Sequence, residues 1–145
     1  MMHNNIIAIV GLGYVGLPLA VALSKHFSVV GFDINEQRIF QLQEGRDFSG
    51  EVSAEELAAA KMKFTAEPAA LKEASFIIVC VPTPIDKHNK PDLFPLEASS
   101  KTVGENLSAG TIVVYESTVY PGLTEEVCVP ILEKYSRLKC GVDFK

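Results

Sequence analysis

Gly11, Gly13 and Gly16 directly follow five apolar residues, Ile6-Ile7-Ala8-Ile9-Val10, and open a helical pattern, while Asp33 closes the next apolar run 22 residues after Gly11. Residues of these types at these spacings can hold a dinucleotide. Gly11 permits a tight turn, Gly13 lets backbone approach a pyrophosphate, and Gly16 lets the new helix pack closely on the strand. The helix N-terminus offers orphan N–H groups and a partial positive charge to the phosphates. Asp33 can accept hydrogen bonds from the adenosine ribose. Its negative charge would repel the 2′-phosphate of NADP and suits the free 2′-hydroxyl of NAD, so NAD is the expected cofactor. Arg38, at the start of the next helix, could reach the ribose or a phosphate, or stand as a solvated helix residue.

Three glycines alone can make an ordinary strand-to-helix turn, so the elements around them matter. Apolar runs alternate with helical periods along the chain, the pattern of a parallel α/β sheet. Strands are predicted at 6–10, 27–32, 62–65, 75–81 and 111–115, and helices at 14–25, 35–43, 53–60, 68–73, 95–107 and 123–135. Gly45 should stop the second helix, and Ser53 with Glu56 forms a capping box at the third. Pro130 argues for a kink or break in the last helix. Residues 139–145 read as the start of a sixth strand, cut off. The expected fold is a Rossmann-type doubly wound parallel sheet of strand order 3-2-1-4-5, with residues 1–145 forming one domain. Four prolines fall in the fourteen residues 82–95 and should forbid regular structure there. In this fold such a loop emerges beside the switch point between strands 1 and 4, where ligands bind, although a rigid connector is the plainer reading.

Composition narrows the function further. The 145 residues are 48% hydrophobic and 21% charged, with a net charge of −5. No basic block points to nucleic acid. No apolar run approaches the ~20 residues of a membrane span, and Met1, Met2, His3, Asn4 and Asn5 lack the basic segment of a signal peptide, so a cytoplasmic location is expected. Cys80, Cys128 and Cys140 show neither metal-site nor disulfide-framework spacing. Cys80, within an apolar run, reads as a small buried hydrophobe.

Taken together, GLGYVGLPLA at 11–20, GFDIN at 31–35, VPTP at 81–84 and YESTVYPG at 115–122 resemble the NAD-binding domain of the UDP-glucose/GDP-mannose dehydrogenase family, over essentially the whole chain. PTPID with PDL at 82–93, and YESTVYPGLTEE at 115–126, look most like the branch acting on UDP-N-acetylhexosamines. The resemblance implies oxidation of a sugar C6 alcohol to a carboxylate in two NAD-dependent steps, through a thiohemiacetal and a thioester on a cysteine.

Carried over residue by residue, the resemblance implies that Gly11, Gly13, Tyr14, Val15 and Gly16 wrap the pyrophosphate. Asp33 and Arg38 would take the adenosine ribose, and Pro82 with Thr83 the nicotinamide half. Thr118 would lie at the reaction centre, its hydroxyl holding a water or the substrate oxygen, with Glu116 and Ser117 shaping that pocket. Ser117 and Thr118 could equally be strand-end residues satisfying their own backbone. The family's Ser-Pro-Glu segment, its catalytic lysine and asparagine and its nucleophilic cysteine have no counterpart here, and none of the three cysteines sits in the family's Gly-Gly-x-Cys setting. The expectation is therefore a cofactor domain without its UDP-sugar-binding and dimerisation parts, inactive alone, from a homo-oligomeric parent. A free-standing dinucleotide-binding or sensing module stays open, as does a flavin or S-adenosylmethionine site on the same fold.

Overall fold

The computed structural model describes residues 5–145; residues 1–4, part of the stretch read for a signal peptide, lie outside the described residues. Ile6–Val10 (β1) is followed by helix Gly16–Ser24 (α1), strand Ser28–Phe32 (β2) and helix Glu36–Gln43 (α2). Helix Ala54–Ala59 (α3), strand Lys63–Thr65 (β3), a 3-10 turn over Pro68–Glu73 and strand Phe76–Val79 (β4) come next. Helix Phe94–Glu105 (α4), strand Ile112–Tyr115 (β5) and helix Val129–Ser136 (α5) complete the order. The five strands pair in parallel as β3-β2-β1-β4-β5, the expected doubly wound arrangement.

β1 is apolar throughout because both sides of it are covered. Ile7 and Ile9 pack with Leu17 and Val21 of α1 and Ile39 and Leu42 of α2. Ala8 and Val10 face the other layer, with Val103 of α4 and Leu132 of α5. Burying each large aliphatic side chain contributes roughly 1.5–3 kcal/mol, so these two layers hold the sheet flanks in place. Val10 lies in register with Phe32 on one side and Val79 on the other, which brings the carboxyl ends of β1, β2 and β4 level. β5 joins with Tyr115 opposite Val79.

Local signals set the helix ends. The Asn35 side chain accepts from the Arg38 N–H at 3.1 Å, and the Ser53–Glu56 capping box forms in both directions. Gly45 takes φ +75° just beyond α2, a left-handed turn that suits glycine.

Three segments differ from expectation. Residues 82–95 are not irregular throughout: Ile85 and Pro91 form an antiparallel bridge. The Asp86 N–H donates to the Lys90 carbonyl and the Asp92 N–H to the Pro84 carbonyl, each at 2.7 Å, so the N–H groups the prolines lack are not needed. At Pro130 the helix is not broken but widened upstream. Thr124–Cys128 is a π turn in which the Val129 N–H reaches back to the Thr124 carbonyl, and this lets α5 start next to a residue with no donor. A sixth strand is not shown. Residues 139–143 close a turn through the Asp143 N–H to the Lys139 carbonyl at 2.8 Å, and only Lys145 reaches β5, through Thr111 and Val113.

Candidate functional site

The level carboxyl ends of β1, β2, β4 and β5 enclose a cleft of ≈ 790 Å³. It sits where the strand order reverses, the place where open α/β sheets bind ligands. The expected residues Gly11, Gly13, Tyr14, Val15, Asp33, Pro82, Thr83, Glu116, Ser117 and Thr118 all line it. Gly16 and Arg38 are not among the lining residues.

The glycine turn is built by close approach. Gly11 has φ +94°, and its N–H donates to the Phe32 carbonyl at 2.9 Å. A Cβ on Gly16 would fall 1.7 Å from the Gly11 carbonyl oxygen, so only glycine lets α1 start this near β1. Gly13 is different: a Cβ there would meet nothing within 4 Å, leaving open space in front of the loop. α1 has Val15 at its N-cap with no side-chain cap, and no acidic residue in its first turn. An anion in that space would meet uncapped N–H groups and the positive end of the helix.

Asp33 is half-buried at the end of β2. Its Oδ2 accepts from the Leu12 N–H and its Oδ1 from the Asn35 N–H, both at 2.9 Å. Each carboxylate oxygen keeps acceptor capacity for a further donor. Arg38 stands behind the loop. Its Nε and Nη2 donate to the Leu12 carbonyl at 2.9 and 2.8 Å, and its Nη1 pairs with Asp47 at 2.9 Å. The Leu12 peptide is thus gripped at its N–H by an acid and at its carbonyl by a guanidinium.

The opposite wall comes from the loops after β4 and β5. The Glu116 N–H extends their ladder to the Val79 carbonyl at 2.9 Å. Ser117 Oγ donates to the Val81 carbonyl at 2.6 Å, and Thr83 Oγ1 to the Thr118 carbonyl at 2.7 Å, so the two loops are stitched together by hydroxyls. Behind them the Tyr115 hydroxyl and Ser100 Oγ share a partly buried hydrogen bond of 2.7 Å. Burial pushes the Tyr115 phenol well above its usual range, keeping it neutral.

Sequence reading missed part of the lining. Leu12, Ile34, Cys80 and the α4 residues Phe94, Pro95, Ala98, Ser99 and Thr102 also border the cleft. Leu12 and Ile34 sit inside the quoted motifs and follow from them, whereas α4 reaches the site only through its packing. Cys80 is the cysteine that borders the cleft. Burial, reinforced by the Glu116 charge, pushes its thiol up to about 11, so it is protonated at neutral pH. A second hollow of ≈ 540 Å³ is formed by the 82–95 segment itself, but Asp86, Asp92 and Glu97 line it and would repel a phosphate-bearing ligand. Among the described residues no cluster of three or more His, Cys, Asp and Glu could hold a metal, and no helix is long and apolar enough to cross a membrane.

The open space before Gly13, the uncapped α1 N-terminus and the Asp33 carboxylate beside them fit a pyrophosphate joined to a ribose with a free 2′-hydroxyl. Relatives agree. Protein CapL of Staphylococcus aureus is 58% identical over 141 residues, which are 97% of this chain and 33% of that protein. The UDP-N-acetyl-D-glucosamine 6-dehydrogenase of Pseudomonas aeruginosa is 55% identical over 144 residues, 99% of this chain and 34% of that one. The ternary-complex crystal structure of GDP-mannose dehydrogenase from Pseudomonas aeruginosa superposes with a TM-score of 0.88 at 30% identity, covering 96% of this chain and 34% of that one. This chain therefore spans about a third of the length of these relatives. Residues 5–145 match the NAD binding domain of the UDP-glucose/GDP-mannose dehydrogenase family, and the chain belongs to that family.

Proposed function

We propose that the cleft holds NAD, and that the chain serves as the NAD-binding domain of an enzyme oxidising the C6 alcohol of a UDP-N-acetylhexosamine to the uronic acid in two NAD-dependent steps. The observation that carries the cofactor reading is the gripped Leu12 peptide, which fixes an open anion site beside an acid suited to a ribose hydroxyl. The named activity of the Pseudomonas aeruginosa relative, at 55% identity across nearly the whole chain, supports the substrate class. In this reading the other two thirds of such an enzyme supply the nucleophile and the sugar-nucleotide contacts.

The residues divide the work. Backbone N–H groups from Gly13 to Gly16 receive the pyrophosphate and Asp33 the adenosine ribose, while Arg38 keeps the loop in shape from behind. Pro82 and Thr83 with Glu116 and Ser117 form the wall for the nicotinamide half. Bound NAD supplies the hydride acceptor. Thr118 is exposed at the end of this wall, its carbonyl already taken by Thr83, and its hydroxyl is left to hold a water or the substrate oxygen in register.

Calorimetric titration tests the cofactor. NAD should bind with micromolar affinity, well ahead of NADP, FAD and S-adenosylmethionine, and Asp33→Ala should weaken that binding about 10- to 100-fold. A preference for FAD or S-adenosylmethionine would sink the assignment, and a preference for NADP would refute the role given to Asp33. The place of the chain in such an enzyme is tested by joining it to the remaining two thirds of the Pseudomonas aeruginosa relative. A folded chimera that binds NAD but makes no NADH from UDP-N-acetylglucosamine, where the relative itself does, would refute it.

A further inference from the structure

We propose that Asp47 is a positioning residue behind cofactor choice: it holds Arg38 on the Leu12 carbonyl and so keeps the guanidinium from serving a 2′-phosphate beside Asp33. The proposal rests on the reading of the cleft as the NAD site. Neither the glycine motif nor the ribose acid includes Asp47, which lies in the turn between α2 and α3.

The geometry is closed on every side. Asp47 has no exposed side-chain surface, and Arg38 only 13%. Asp47 Oδ1 takes Arg38 Nη1 at 2.9 Å and also accepts from the Ser49 N–H and hydroxyl. Its Oδ2 accepts from the Glu51 and Val52 N–H groups at 3.0 and 2.9 Å, which ties the carboxylate to its own turn. Arg38 Nε and Nη2 converge on the Leu12 carbonyl, with Ser49 Oγ at 3.4 Å from Nη2. All three guanidinium nitrogens are therefore directed at fixed acceptors.

Two consequences follow for the cleft. A guanidinium near the ribose acid is the usual means of accepting a 2′-phosphate in this fold. Here one stands in the right helix but is turned onto backbone. Discrimination against NADP then has two parts, the repulsion from Asp33 and the engagement of Arg38, and removing the first alone should not produce an NADP site. A planar fork satisfied on two faces at once is also a role that lysine does not replace.

The test measures NAD and NADP affinities for the wild-type chain, Asp33→Ser, Asp33→Ser with Asp47→Asn, and the latter with Arg38→Met, each checked by its thermal melt. Asp33→Ser alone should stay a poor NADP binder. Adding Asp47→Asn should raise NADP affinity about tenfold by releasing a charged donor, and Arg38→Met should cancel the gain. Equal NADP affinity with and without Asp47→Asn, or a gain that survives Arg38→Met, would overturn the proposal. A merely structural Asp47 would weaken both nucleotides alike and also overturn it.

A wild-type readout covers the case in which Asp47→Asn does not fold. The Arg38 Nε–H resonance should be protected from solvent exchange and should not move on adding 2′,5′-ADP. Its displacement by that probe would overturn the proposal while leaving NAD binding intact. Absence of NAD binding by the wild type would instead bring down the reading of the cleft, and this proposal with it.

Discussion

The two walls of the cleft are made differently. On the glycine side, the Leu12 backbone is bonded at its N–H and its carbonyl by charged side chains; the Asp33 carboxylate also accepts from Asn35, and the Arg38 guanidinium is anchored by Asp47, itself held by Ser49, Glu51 and Val52. On the far side, single hydroxyl bonds join the loops, and Thr83, Ser117 and Thr118 are partly or fully open to solvent. Hydrogen bonds to charged groups contribute roughly 1.5–3 kcal/mol and neutral ones about 1. The wall proposed for the adenosine is thus preorganised by the domain itself, whereas the wall proposed for the nicotinamide is left more adjustable.

The sharpest way to break this contrast is Gly16→Ala. The added methyl overlaps the Gly11 carbonyl at 1.7 Å, and α1 can yield only by leaving β1. A loss of about 3 kcal/mol or more in chemical denaturation is expected, with NAD binding abolished. A variant as stable as wild type would show that the turn is not rigid.

Asp33→Ala acts on the same wall without a clash. It removes the acceptor for the Leu12 N–H and the one proposed for the ribose, so the NAD dissociation constant should rise about 10- to 100-fold, with a smaller loss of stability. If affinity changed less than about threefold, Asp33 would be a loop brace and not a ribose ligand.

Acid separates the walls next. Burial of Asp47 opposes its ionisation, but bonds from Ser49, Val52 and Arg38 outweigh this and hold its carboxyl at about 2, below its ordinary 3.8. A depressed carboxylate stabilises the fold fully above about pH 4, and this contribution is lost as pH falls through about 2. On the order of 2 kcal/mol is involved, so the stability gap between wild type and Asp47→Asn should be constant from pH 7 to about 4 and close by about pH 2. A gap independent of pH would place the effect in packing rather than charge.

Thr83→Val should do least. Losing one exposed hydroxyl bond to the Thr118 carbonyl should cost under about 1 kcal/mol of stability and weaken NAD a few-fold at most. A larger loss than for Asp33→Ala would reverse the contrast and make the far wall the rigid one.

Much of the glycine side was legible because its information is local. The apolar run, the turn glycines, the Asn35 and Ser53 caps and the acid ending β2 all act within a few residues of where they are written. Asp47 was not legible as part of the site. Asp47-Phe48-Ser49-Gly50 carries an ordinary turn signal, and its use as an anchor for Arg38 requires α2 to lie beside the glycine loop. The α4 contribution was hidden for a similar reason, since Ala98, Ser99 and Thr102 reach the cleft only once the helix packs over β4 and β5.

At 139–145 the apolar and small residues suggested a strand, yet a strand also needs a partner in register over successive residues. There the chain turns on Asp143 and offers β5 only Lys145. Element order, the parallel class of the sheet, the glycine turn and the acid ending β2 were written in the sequence, because periodicity and turn chemistry depend on near neighbours. That Arg38 is held on backbone, that Cys80 borders the cleft as a neutral thiol, and that one wall is more tightly bonded than the other follow from the folded arrangement. Those properties come from groups far apart in sequence meeting in a shared, partly dry space, where burial and pairing set the strength of each contact.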